Sequence, residues 1–163
     1  MRYMPASCWR GPAWSHCAPS LPLVGSGTLL AGACMVPLPT SGSDGALAKM
    51  MSDCEARHLF ASARHMDTAR GLGAADLIAL DGLDSWAGDT AIDAPVAVQP
   101  GDYFDLIYSS GTTGTPKGII HDHRFRGRQL ERMPRFGLDG EARLMMSTPL
   151  YSNTTLVAAL PVM

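Results

Sequence analysis

Apolar residues in this chain come in short blocks separated by turn-forming residues, and the spacing within each block predicts an element. Thr28 to Leu38 is apolar and small-residue-rich, reading as the end of a buried helix, a turn at Gly32 and a strand at Cys34–Leu38. Pro39 to Gly45 is turn-rich. Beyond it Leu47, Met50 and Met51 recur at i, i+3, i+4, which predicts a helix from about Gly45 to Cys54 with Asp44 as its cap. A strand follows at Arg57–Ala61 and another at Leu77–Leu80. Asp81 to Pro100 is dense in Gly, Pro and Asp and reads as a surface connection. Tyr103 to Tyr108, aromatic and branched, predicts a buried strand, and Ile119–Ile120 resumes as strand after a Gly/Ser/Thr loop. Asp122 starts a helix reaching to about Met133, Arg143–Ser147 reads as a strand, and Tyr151 to Leu160 opens a buried helix. Strands alternating with helices predict an α/β layered fold.

Residues 1–20 break this rhythm. They hold two of the three Trp, two Cys and three Pro without helical or strand periodicity. They are left unassigned, as a disordered lead-in or as sequence foreign to the rest, and residues 21–163 form the folded unit. The apolar run Leu21–Leu38 follows Arg2 and Arg10, an arrangement that a signal peptide or membrane span would share. Pro22, Pro37, Gly25, Gly27 and Gly32 interrupt the continuous helix that a span requires.

Hydrophobic residues make up 46% of the 163 and charged residues 17%, which supports a packed core. A net charge of -2 gives no reason to propose nucleic acid as a partner. The charge is uneven, however. Asp44 to Asp105 is acidic, and from Lys117 to Arg143 bases outnumber acids seven to four. The basic stretch suits an anionic ligand or a solvated helix face equally. Cys8, Cys17, Cys34 and Cys54 match no zinc or CxxC spacing and read as reduced cytosolic thiols, which places the protein in the cytoplasm.

The chemistry concentrates in Tyr108-Ser-Ser-Gly-Thr-Thr-Gly-Thr-Pro-Lys-Gly118. Gly111, Gly114 and Gly118 allow close backbone approach to a ligand. Consecutive N–H groups in such a loop form an anion nest. Ser109, Ser110, Thr112, Thr113 and Thr115 add hydroxyl donors, and Lys117 adds a charge-assisted hydrogen bond behind the stiffening Pro116. The combination describes a triphosphate cradle. A Walker loop is disfavoured, because no Ser or Thr follows Lys117, and a plain linker has no reason for this Pro and Lys between apolar strands. His121 and His123 flank Asp122, but with no third ligand nearby they read as a capping surface cluster, not a metal site. Arg124, Arg126 and Arg128 read as a solvated face before a basic patch for nucleic acid or coenzyme A phosphates. Met145, Met146 and Met163 read as core.

SSGTTGTPKG resembles the signature loop of the adenylate-forming (AMP-binding) superfamily: acyl- and aryl-CoA synthetases, peptide-synthetase adenylation domains and beetle luciferases. Asp102, His123, the strand Gly32–Leu38, the segment Leu47–Phe60 and Thr148-Pro149-Leu150-Tyr151 resemble the family's flanking motifs, whereas Ser152 stands where many members carry His. The resemblance implies part of the family's N-terminal domain, with the rest of that domain and the small C-terminal domain absent. It implies ATP-dependent conversion of a carboxylic acid to an acyl-adenylate, then transfer to coenzyme A, with Mg²⁺ accompanying the ATP. Peptide-synthetase adenylation is the alternative. Ser109, Ser110, Gly111, Thr112, Thr113, Gly114, Thr115 and Lys117 would hold phosphates, and Tyr151 and Ser152 would wall the acyl pocket. No catalytic residue is assigned, because the family's adenylating lysine belongs to a motif beyond Met163. The expectation is therefore that this chain alone does not turn over, a non-catalytic remnant of such a ligase being a further alternative.

Overall fold

The structure, a computed structural model, describes residues 12–15, 20–87, 94–109, 116–145 and 148–162. Its centre is a four-stranded parallel sheet in the order β2-β1-β3-β4. The strands are β1 (Pro12–Ser15), β2 (Val36–Leu38), β3 (His58–Ala61) and β4 (Asp76–Ala79). The inner strand β1 pairs Ala13 with Val36 on one side and with Leu59 on the other. Helices α1 (Ser20–Leu30) and α2 (Asp44–Cys54) make the crossovers between the first strands, and α3 (Met66–Arg70) leads to β4. An order that reverses between β1 and β3 is doubly wound, and such sheets place ligands at the carboxyl ends of their strands.

A second unit is the antiparallel hairpin of β5 (Tyr103–Ser109) and β6 (Lys117–Asp122). Met35, just ahead of β2, donates to the Phe104 carbonyl at 3.1 Å and accepts from Leu106 N at 2.9 Å. This parallel bridge aligns β5 with β2. The carboxyl end of β5 therefore points toward the carboxyl edge of the parallel sheet.

Alternation along the strands divides the core in two. Leu47, Met50, Met51 and Cys54 of α2 pack with Val36, Leu38, Leu59 and Ala61. On the other side Val24 of α1 and Leu156 of α6 (Asn153–Ala159) pack with Met35, Phe60 and Ile78. β5 serves both cores but changes phase. Phe104 and Ile107 join the second core, while Leu106 and Tyr108 join the first. The cause is a bulge: from Tyr103 to Asp105, two residues of β5 face one step, Asp122 to His121, on β6.

Several elements differ from the sequence expectation. Residues 1–20 were expected to hold no element, yet Pro12–Ser15 is an inner strand. A four-residue strand paired on both sides is too short to show period, and Pro is tolerated at a strand's first position. The cap of α2 is Ser43, whose hydroxyl accepts from Ala46 N at 3.3 Å, and Asp44 lies inside the first turn. The expected connection from Asp81 contains the short helix α4 (Leu83–Ala87). Leu80 falls in a 3-10 turn after β4. Asp122 caps α5 (His123–Leu130), which ends before the expected Met133, the chain tightening into a 3-10 turn at Met133–Phe136. Arg143–Met145 is not a strand, because no described strand pairs with it, and Met145 is 91% exposed rather than core. Met146, Ser147 and Met163 lie outside the described residues. Gly32 does form the expected turn, at φ +67, where a Cβ would stand 3.0 Å from Val96. No described helix is long and apolar enough to cross a membrane.

Candidate phosphate-binding site

The hairpin brings Ser109 directly opposite Lys117. Residues 110–116 are thus the connection at its tip, and its two ends are held in fixed register. Ser110, Gly111, Thr112, Thr113, Gly114 and Thr115 lie outside the described residues. Ser109 and Lys117 are exposed, and Lys117 forms no ion pair among the described residues. The Ser109 hydroxyl donates to the Lys117 carbonyl at 3.5 Å, and the exposed Lys117 ammonium at this open end fits a phosphate-bearing ligand such as ATP.

Below that end the hairpin is anchored. Tyr108 sends its hydroxyl to Asp53 Oδ2 at 2.7 Å and to the Met50 carbonyl at 3.1 Å, both on α2. Burial and the hydrogen bond to Asp53 hold the phenol far above its ordinary range, so it stays a donor. Gly118, opposite Tyr108, permits this packing, because a Cβ there would meet Leu106 Cδ1 at 2.8 Å and Tyr108 Cε1 at 3.3 Å. Cys54 lies beneath the same anchor, and burial pushes its thiol up to about 11. Cys34 and Cys54 are free thiols, and Cys8 and Cys17 lie outside the described residues.

The bulge supplies a feature the sequence reading missed. Asp105 is fully buried in β5 and faces His121 of β6. Its Oδ1 lies 2.6 Å from His121 Nδ1. Its Oδ2 accepts from Arg126 Nε at 2.8 Å and stands 2.6 Å from Arg126 Nη2. Arg126 also donates to Gln129 Oε1 at 2.7 Å and to Asn153 Oδ1 at 2.9 Å. With Asp105 ionised, His121 must carry its proton on Nδ1 to donate to it. The 3.1 Å approach of Arg126 Nη2 to that nitrogen is then a juxtaposition of donors, not a hydrogen bond. Phe125 stacks on His121 with centroids 4.8 Å apart.

This network corrects two sequence readings. Arg126 is fully buried, so Arg124, Arg126 and Arg128 are not one solvated face. Within His121–Asp122–His123 only Asp122 caps, accepting from Phe125 N at 2.7 Å, and His121 is buried. One signal could have found the network: an aspartate in the middle of an otherwise aromatic and branched strand needs a buried cation.

Tyr151 and Ser152 sit in the turn leading into α6. Tyr151 Oη lies 3.4 Å from Ser41 Oγ, in the loop that leaves β2 at the carboxyl edge. Asn153, the next residue, is the one bonded to Arg126. The structure therefore ties Tyr151–Ser152 to the hairpin through the Arg126 network. Among the described residues no three His, Cys, Asp or Glu stand together as a metal site.

Comparison with known proteins agrees with this architecture. The family described as AMP-binding enzyme matches residues 15–163. N-(5-amino-5-carboxypentanoyl)-L-cysteinyl-D-valine synthase of Amycolatopsis lactamdurans is 34% identical over 93 residues, covering 57% of this chain and 2% of that protein. Indigoidine synthase of Streptomyces lavendulae is 30% identical over 129 residues, covering 76% of this chain and 10% of that protein. The chain thus spans a small part of these curated relatives. Among solved structures, ATP-bound MatB from Rhodopseudomonas palustris superposes with a TM-score of 0.78 at 23% identity, over 94% of this chain and 33% of that one. The hairpin, the doubly wound sheet and the family match lead to one assignment: the chain belongs to the AMP-binding enzymes.

Proposed function

We propose that Ser109–Lys117 grips the β- and γ-phosphates of ATP while a carboxylic acid is activated, and that the acyl group then passes to the thiol of coenzyme A. In the first step a carboxylate oxygen attacks the α-phosphorus, the bond to the β-phosphate bridge breaks, and pyrophosphate leaves. In the second, a thiolate attacks the acyl carbonyl and AMP leaves. Two anions meet in the first step, so the protein's contribution is to neutralise and orient phosphates. Ser109, Ser110, Gly111, Thr112, Thr113, Gly114, Thr115 and Lys117 serve that role, and Tyr151 and Ser152 wall the acid. Mg²⁺ travels with the ATP. The free thiols of Cys34 and Cys54 suit a reducing cytoplasm as the place of the reaction.

The supporting observation is the register of Ser109 with Lys117 at the exposed tip of a hairpin aligned with the sheet's carboxyl edge. ATP titration of the wild type and of Lys117→Ala tests the reading, while clear acid-dependent ATP–pyrophosphate exchange would overturn the expectation that this chain alone does not turn over. The variant is expected to bind ATP roughly tenfold or more weakly, the loss of a charge-assisted bond. Equal affinity in the two proteins would sink the assignment.

A second reading is adenylation for a peptide synthetase, the acyl group passing to a carrier-protein thiol. It is favoured by the two curated relatives, both synthases matched at 30% identity or more. Supplying coenzyme A or a phosphopantetheinyl carrier protein to the same acyl-adenylate separates the two by which thiol becomes acylated.

A further inference from the structure

We infer that Arg126 is a positioning residue that sets the place of Tyr151–Ser152 relative to the phosphate-gripping hairpin, an inference that rests on the function proposed above. Its guanidinium is fully buried and joins three elements. Nε and Nη2 hold Asp105 of β5, Nη1 holds Gln129 within α5, and Nη2 holds Asn153 at the first residue of α6. Asp105 is itself locked by the bulge and by His121. The fixed end of the linkage is therefore the hairpin that carries Ser109 and Lys117.

The other end is a compact unit. Thr148 Oγ1 and Thr155 Oγ1 lie 2.5 Å apart, and Ser152 N donates to the Pro149 carbonyl at 3.0 Å. Residues 148–155 are thereby closed on themselves, with Tyr151 and Ser152 between the bonded ends. A guanidinium is planar and donates in fixed directions, so bonding two elements at once fixes their separation, which a flexible lysine would not. Transfer of an acid onto a phosphate needs both bound groups at a defined spacing. Arg126 touches neither phosphate nor acid under this reading. It acts through Asp105 on one and through Asn153 on the other.

Amide hydrogen exchange of the full chain, followed by mass spectrometry with and without ATP, tests the linkage in Asn153→Ala and Asn153→Asp. Asn153 is exposed apart from its bond, and Asn153→Ala leaves the Arg126–Asp105 pair in place. Exchange across 148–153 is expected to rise about tenfold in Asn153→Ala while β5 and β6 stay as slow as in the wild type. ATP is expected to slow 148–153 in the wild type and to lose that effect in Asn153→Ala. Asn153→Asp restores both, because its carboxylate accepts from Arg126 as the amide oxygen did. A merely structural residue would speed exchange everywhere and leave the effect of ATP on 148–153 intact. Unchanged exchange at 148–153 in nucleotide-free Asn153→Ala overturns the inference, as does undiminished ATP protection there. If ATP protects no part of the wild-type chain, the phosphate-binding reading fails instead, and the nucleotide-free comparison still decides the role of Arg126.

Discussion

Arg126 shows how much one side chain can carry here. It and Asp105 are both withdrawn from water, so neither can lose its partner cheaply. Arg126→Leu is expected to cost about 3–5 kcal/mol in urea unfolding, because it leaves a buried carboxylate without its cation. Pairing that change with Asp105→Leu should recover much of the loss, since a buried ion pair replaced by apolar groups is often near neutral. Gly118 is constrained for a different reason. Leu106 is buried, so the added methyl of Gly118→Ala, 2.8 Å from Leu106 Cδ1, cannot be relieved by swinging that side chain into solvent. About 1–3 kcal/mol of destabilisation is expected, with thermal unfolding as the check. Sequence reading treats Gly118 as part of the phosphate loop, whereas its tightest contacts are with the hairpin's own packing.

At the scale of elements, the helix starts were legible in kind but not always in residue. Asp122 caps α5 as its spacing suggested. For α2 the hydroxyl of Ser43 does the work that Asp44 was expected to do. Ser43→Ala should therefore cost about 1 kcal/mol. Asp44→Ala should cost only a few tenths, the interaction of a first-turn carboxylate with the helix dipole. Chemical denaturation of the two variants separates the assignments, and the reverse ranking would restore Asp44 as the cap. The strand β5 was legible throughout from its aromatic and branched residues. Its bulge was not, because a bulge is a property of two strands in register, and only the pairing of Asp105 with His121 reveals the extra residue.

Over the whole molecule, the buried ionisable groups make a prediction about pH. Burial raises Cys54 from 9.0 to about 11 and raises Cys34 still further, so the folded state prefers both as neutral thiols. A group raised on folding stabilises fully below its unfolded value and loses that contribution as pH rises through the folded one. Unfolding free energy is thus expected to be level up to about pH 9 and to fall as pH rises toward 11, with Tyr108 acting in the same direction. Denaturation across that range checks it, and a flat profile would contradict it. The amino-acid order alone determined the glycine-and-hydroxyl signature between two strands, the alternation of strand and helix, and the family they indicate. Those signals are local: glycine freedom, hydroxyl density and hydrophobic period act within a few residues of each other. Tertiary structure decided that Pro12–Ser15 lies inside the sheet, that Arg126 is buried rather than solvated, and that the Tyr151 segment is tied to the hairpin. Each of these joins residues distant along the chain, and a pairing of that kind acquires an energy only when folding brings both partners out of water together.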